Sequence, residues 1–289
     1  MNLFRKSLIP SHLLDFFMPA EIGTEPTPEA YIAHLVTVFR AVRRVLRDDG
    51  TLWLTLGDSY ANDGKWGDST GGKHVKALHG HSAIGRSKRH TNAKPKDLMM
   101  LPARVALALQ SDGWWLRSDI IWQKPNAMPE PVKDRPTSVH EHVFLLTKQP
   151  VYRYNAEAIA EPAIMKPQRR LTSKAAYAAP GAGDHRSGTH GLVREEPGID
   201  GGPMRNSRNV WTITTKPYKD AHFATMPPNL AGRCILAGSA EGDQVLDPFA
   251  GAGTTGLVAA ELGRKATLIE ISPAYAQIIK RRLAHCIRS

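Results

Sequence analysis

The order of apolar and polar positions divides the chain into helical and strand-like blocks separated by two long stretches without period. Thr27-Pro28-Glu29 reads as an N-cap, a first-turn proline and an early acid. The helix it opens carries Ile32, Leu35, Val36, Phe39, Val42 and Leu46 along one face. Asp49-Gly50 stops it, and Thr51-Leu52-Trp53-Leu54-Thr55-Leu56 follows as a buried strand. Asp97 is expected to cap a helix over 98–111, closed by Asp112-Gly113. A tryptophan- and isoleucine-rich strand at 114–122 comes next, then a second strand at 140–147. The polar, proline-bearing connection between them predicts an antiparallel hairpin at one sheet edge. Near the C-terminus Pro227-Pro228 opens a helix over 229–236. The short run Val245-Leu246 then gives a strand, 257–262 a helix ended by Gly263, and 265–270 another strand. Ser272-Pro273 starts a last helix with Ile278, Ile279 and Leu283 inward, while Lys280, Arg281 and Arg282 suit its C-terminal dipole. Helix and strand alternate as in a doubly wound α/β sheet.

The stretches without period change the picture. In residues 64–96 eight Lys or Arg meet a single acid, Asp68, with His74, His79, His81 and His90 scattered among them. Such a long aperiodic connection reads as an arm over a nucleic-acid backbone or as a solvated loop. The histidines lack the helical spacing or cysteine partners of a metal site. Residues 155–208 form the second such stretch, rich in Pro, Gly, Ser and Ala. Residues 1–23 are irregular, with an apolar patch at Leu13-Leu14-Asp15-Phe16-Phe17-Met18. The formal net charge of +11, from 38 Lys plus Arg against 27 Asp plus Glu, favours a polyanionic partner. Two cysteines, Cys234 and Cys286, suggest neither a disulfide framework nor a cysteine zinc site. No apolar run has membrane-spanning length and no secretory signal pattern is present, so the expectation is a cytoplasmic protein without a membrane partner.

Candidate chemistry concentrates in Asp247-Pro248-Phe249-Ala250-Gly251-Ala252-Gly253-Thr254-Thr255-Gly256. Gly251, Gly253 and Gly256 satisfy a G-x-G-x-x-G spacing between strand and helix, and Glu270 ends the next strand where a ribose-binding acid should stand. This is the pattern of a nucleoside site. Two features oppose a dinucleotide. Asp247-Pro248-Phe249 intervenes between strand and glycines and puts a carboxylate where a pyrophosphate would be repelled. Only one helix follows Glu270, so no second βαβ half is expected for another nucleotide.

The loop strongly resembles the S-adenosylmethionine loop of the DNA amino-methyltransferases, which modify adenine N6 or cytosine N4. Its place near the C-terminus resembles their β-class. The resemblance implies a doubly wound, Rossmann-like methyltransferase fold with a mixed, mostly parallel sheet. The cofactor is then S-adenosyl-L-methionine, the partner double-stranded DNA, and the setting DNA methylation, as in restriction-modification. The fold would divide into a catalytic half at 1–154, an inserted target-recognition region at 155–208 and a cofactor half at 209–289. By the same resemblance Asp247, Phe249, Gly251, Gly253, Thr254, Thr255 and Glu270 bind the cofactor. His222, Ala224 and Pro227 join them from a block, His222-Phe223-Ala224-Thr225-Met226-Pro227, similar to the family's methionine-contacting segment, with Met226 where phenylalanine is usual. Lys124, Asn126 and Arg135, between the paired strands, fall on the side that faces the target base and are candidates for DNA contact.

One family feature is absent. Methylating an exocyclic amine needs an acceptor for the amine protons and an aromatic ring for the extruded base. The family supplies both in a tetrapeptide of Asp, Ser or Asn, two prolines and an aromatic residue. Pro227-Pro228, followed by Asn229, does not provide it, and Lys216-Pro217-Tyr218 lacks the second proline. The catalytic residues therefore stay unassigned, the resemblance covers roughly Ile22 onward, and the fold is expected to be N-terminally incomplete, as after a frameshift or a misplaced start codon. The activity expected is methyl transfer from the cofactor to cytosine N4 or adenine N6, the alternative a catalytically impaired remnant that still binds DNA or cofactor. Gly57-Asp58-Ser59 imitates an esterase nucleophile block, but Asp220-Ala221-His222 is one residue short of the partner that chemistry needs.

Overall fold

The structure is a computed structural model that describes residues 22–25, 27–61, 94–163, 203–215, 225–284 and 286. The apolar patch at 13–18, most of the basic stretch 64–96 and most of 155–208 lie outside the described residues. Two compact units are present, one formed by residues 1–154 with 209–289 and the other by 155–208.

In the larger unit, helix α1 (Pro28–Val45) begins as its sequence dictates, with the Thr27 hydroxyl accepting from the Ala30 amide at 3.2 Å. Its apolar face buries Leu35, Phe39 and Val42, each side chain stabilising the fold by about 1.5–3 kcal/mol. At the far end Lys148 reaches the Leu46 carbonyl at 2.9 Å, supplying a cation where the helix carbonyls are unpaired. Strand β1 (Thr51–Leu56) follows, and then helix α2 (Leu101–Ser111).

The start of α2 differs from expectation. Asp97 does not cap it: the helix begins at Leu101, behind Met100 in a left-handed conformation with φ of 52°. The acceptor comes from Asp58 instead, whose Oδ1 receives both the Ser59 amide at 2.8 Å and the Leu101 amide at 3.0 Å. A carboxylate after β1 does the work that the local sequence assigned to Asp97, so Asp58-Ser59 is helix-cap chemistry and not an esterase block.

Strands β2 (Trp115–Gln123) and β3 (His140–Thr147) pair antiparallel through the connection at 124–139, with a bulge between Leu116 and Ser118. Residues 157–159 form a 3-10 turn, and β4 (Glu161–Pro162) pairs antiparallel with β5 (Met204–Arg205); both belong to the smaller unit. There Glu161 accepts Arg205 Nε at 3.1 Å and Arg208 Nε at 2.6 Å. Burial works to raise the Glu161 carboxyl, but these guanidinium groups hold it below its ordinary value.

Strand β6 (Val210–Thr212) completes the main sheet, whose order is β1-β3-β2-β6. This corrects the expected mostly parallel sheet. β3 is antiparallel to both β1 and β2, and only β6 runs parallel to its neighbour β2. The mixed sheet is thus mostly antiparallel, within an α/β methyltransferase-like fold. The cause is the hairpin: a chain that turns back after β2 and inserts its return strand beside β1 makes both contacts antiparallel. Leu35, Phe39, Leu54, Val105, Leu109, Trp114, Phe144 and Leu146 pack as one core between this sheet and α1 and α2.

The C-terminal part is helix α3 (Pro228–Gly238), strand β7 (Gln244–Asp247), helix α4 (Thr254–Glu261), strand β8 (Lys265–Leu268) and helix α5 (Pro273–Leu283). β7 and β8 are parallel, with Asp247 opposite Leu268. A second core joins Ala231 and Ile235 of α3 to Val258 and Ala259 of α4. Leu246 reaches the first core from β7, which ties the two parts of this unit together.

Candidate cofactor and DNA site

The glycine loop hangs between the ends of β7 and β8. Asp247 stops β7 and turns its carboxylate back to accept the Phe249 amide at 2.9 Å, a local turn that aspartate before proline favours. Two bonds then zip the loop to β8: Ile269 donates to the Asp247 carbonyl at 2.9 Å, and Ala250 donates to the Ile269 carbonyl at 3.0 Å. Gly251 and Gly253 have φ of +51° and +77°, values that side-chain-bearing residues rarely adopt. Around Gly251 the space is open, the nearest atom to an added Cβ being the Phe249 carbonyl at 4.0 Å. A ligand can therefore approach this backbone closely. Gly256 serves packing instead, since an added Cβ would meet Leu268 Cδ1 at 2.5 Å.

Glu270 closes the site. Its two carboxylate oxygens accept the Gly251 amide at 2.8 Å and the Ser272 amide at 2.7 Å, so the acid is fixed against the loop. Each oxygen keeps a further lone pair for a hydroxyl donor. Tyr275, in the first turn of α5, has its phenol raised by burial and by the Glu270 charge. Phe249 is exposed on the loop and meets Phe39 edge-on at 6.3 Å. Thr254 is buried at the first position of α4, and Thr255 is half-buried beside it. Asp247, Phe249, Gly251, Gly253, Thr254, Thr255 and Glu270 thus share one loop and one strand end. Pro227 is buried at the start of α3, which packs on α4. His222 and Ala224 lie outside the described residues.

The three residues singled out for DNA occupy the β2–β3 connection or its start, each with an internal partner. Lys124 pairs with Glu141 and lies 4.5 Å from the centre of the Trp122 ring. Asn126 donates to the Thr215 carbonyl at 3.0 Å and accepts the Thr215 amide at 2.9 Å, clipping the connection to the segment after β6. Arg135 stacks 3.8 Å from the Tyr60 ring centre and pairs with Glu130 at 2.6 Å. Pattern reading missed this clip and the Arg135–Tyr60 stack, because both join segments far apart in sequence. It also read Arg282 as a dipole-compensating cation. In the structure its Nη1 donates to the Ala252 carbonyl and to Thr254 Oγ1, both at 3.0 Å.

Among the described residues no group of three or more His, Cys, Asp or Glu is placed to hold a metal ion, and no helix is long and apolar enough to cross a membrane. The chain belongs to the DNA methylase family of N6-adenine and N4-cytosine enzymes, whose model matches residues 16–281. The match begins slightly earlier than Ile22. The chain is similar to the type II methyltransferase M.SmaI of Serratia marcescens, 42% identical over 272 residues that cover 94% of this chain and 80% of that one. It is equally similar to M.Cfr9I of Citrobacter freundii, 42% identical over 271 residues, 94% and 77% of the two chains. Its fold resembles that of the PvuII cytosine-N4-specific DNA methyltransferase, with a TM-score of 0.58 at 18% identity over 88% of this chain and 71% of the other. It also resembles a protein of Thermus thermophilus assigned as a DNA modification methylase and crystallised with S-adenosyl-L-methionine, with a TM-score of 0.50 at 25% identity over 90% and 79%. The protein is an S-adenosylmethionine-dependent DNA methyltransferase of the class that methylates exocyclic amines, with DNA as its partner.

Proposed function

We propose that S-adenosylmethionine lies against residues 247–255, its ribose hydroxyls donating to Glu270 and its methionine end running along Asp247 and Thr255. Gly251, Gly253 and Thr254 supply the close backbone, Phe249 an apolar wall and Pro227 a contact from the start of α3; His222 and Ala224, outside the described residues, are assigned to the cofactor on the family resemblance alone. The observation that carries this reading is the bond between the Gly251 amide and Glu270, which fixes an acid beside the open space at Gly251. The cofactor supplies a methyl group activated on a sulfonium; the protein's part is to hold it in line with the amine nitrogen and to exclude water. Lys124 and Arg135 add positive charge on the base-facing side, while Asn126 holds the shape of the connection. The protein works in the cytoplasm, where its DNA and cofactor are.

A second reading is favoured by one observation. No Pro-Pro-aromatic tetrapeptide occurs in the chain, so the acceptor and stacking ring for an extruded base are not supplied by that means. On this reading the polypeptide binds cofactor and DNA but transfers methyl groups slowly. Calorimetry with S-adenosylhomocysteine and NADH, followed by labelled methyl transfer to duplex DNA, separates the possibilities. Equal binding of NADH overturns the cofactor assignment. Transfer at the rate of M.SmaI overturns the second reading and places the amine acceptor elsewhere in the chain.

A further inference from the structure

The glycine loop is gripped from behind by α5, and the grip is unusual in its composition. No residue of α5 is buried, so the helix does not hold its place by an apolar face alone. Ile279 sits against Gly253, its Cγ1 3.0 Å from where a Cβ would stand. One turn on, Arg282 places one guanidinium nitrogen between two acceptors of the loop, the Ala252 carbonyl and the Thr254 hydroxyl. Both acceptors flank Gly253, the left-handed residue that caps α4 without any side-chain bond. Glycines in a loop cost conformational entropy when ordered, and a fixed geometry there needs restraint from outside the loop. Glu270 restrains the β8 side through the Gly251 amide. Arg282 restrains the α4 side through oxygen acceptors.

We infer that Arg282 is a positioning residue for the cofactor: by holding Ala252 and Thr254 together it sets the loop in its binding geometry before the ligand arrives. The two N–H bonds of that one nitrogen are held at fixed angles in the guanidinium plane, whereas an ammonium is a rotating point charge on a shorter stem. Arg282 also lies one residue beyond the segment matched by the family model, so this chain's own structure and not the family match identifies it. The inference rests on the proposed cofactor site.

The test is calorimetric binding of S-adenosylhomocysteine to the full chain and to Arg282→Met, Arg282→Lys and the neighbouring exposed Arg281→Met, with the melting temperature of each ligand-free protein. Loss of a preorganising charged bond should weaken Arg282→Met about tenfold and Arg282→Lys about threefold, while Arg281→Met stays within about twofold. The ligand-free melting temperature of Arg282→Met should fall by no more than about 2–4 °C, the scale of two part-buried bonds, and a ligand-free chain still fully folded at the assay temperature separates positioning from general stability. Hydrogen exchange of the peptide spanning 250–256 should accelerate in Arg282→Met only. Unchanged affinity in Arg282→Met, or equal losses at positions 281 and 282, overturns the inference. If Arg282→Met does not fold, Arg282→Lys decides: wild-type affinity there overturns it. If the wild-type chain itself does not bind S-adenosylhomocysteine, the cofactor site falls first and the positioning role falls with it.

Discussion

Replacing Glu270 is the most direct probe of the cofactor site, because its two oxygens hold known backbone partners whose loss can be separated from loss of ligand. In the ligand-free protein the carboxylate accepts the Gly251 and Ser272 amides at 2.8 and 2.7 Å. Both bonds are only partly buried, so water takes over much of what alanine removes. The cost to stability should be about 1 kcal/mol, or about 2–4 °C in melting temperature. Binding is affected more. A ribose hydroxyl donating to an ionised carboxylate contributes about 1.5–3 kcal/mol, so Glu270→Ala should weaken S-adenosylhomocysteine about 10- to 100-fold. Glu270→Gln keeps one carbonyl oxygen and loses the charge, and should fall between wild type and alanine. Isothermal calorimetry at constant salt measures all three. Binding by Glu270→Ala within twofold of wild type, in a folded protein, would refute the reasoning that places the ribose on this acid.

Four other outcomes follow from the structure. Removing the Glu270 charge with Glu270→Gln should lower the Tyr275 phenol toward its ordinary value, read by ultraviolet titration, because that charge adds to burial in raising it. Burial pushes the thiol of Cys234, a half-buried residue of α3, up to about 12, so a thiol reagent at pH 8 should label Cys286 faster than Cys234 in the native protein and both alike in denaturant; equal native rates would contradict the raised thiol. Gly256→Ala drives a methyl into Leu268 and should cost about 1–3 kcal/mol, seen as a lower denaturation midpoint at unchanged slope. If the basic stretches grip phosphates, DNA affinity should fall with salt by about 0.9 log units per log unit for each contact, and a flat dependence argues against them.

Much of the fold was legible where one local rule decided the outcome. Thr27-Pro28 started α1, Asp112-Gly113 closed α2, and the glycine loop stood between a strand and a helix. The antiparallel pairing of β2 with β3 was legible from the connection between them, but the place of that hairpin was not: β3 also joins β1, antiparallel, so the hairpin lies inside the sheet and not at its edge, and that depends on the whole sheet and not on the apolar run in 140–147. The start of α2 failed for a related reason. A capping aspartate four residues upstream in sequence was outcompeted by Asp58, which the end of β1 delivers to the Leu101 amide.

The site divides along the same line. The residues proposed to face the ligand are contiguous or end adjacent strands, and the spacing from Gly251 to Glu270 encodes the meeting of loop and acid, as the bond between them shows. The residues that hold the site are not contiguous with it. Arg282, thirty positions from Ala252 along the chain, resembles any cation near a helix C-terminus until α5 is folded back across the loop. Asn126, whose amide reads as a base-contacting group in sequence, has both ends occupied by Thr215. A polar side chain in a loop has the same signature whether it waits for a ligand or ties two segments together. Only the long-range contact brings such a residue into view: it ties Asn126 to Thr215, with one amide hydrogen and one lone pair still left over, and Arg282 to the glycine loop.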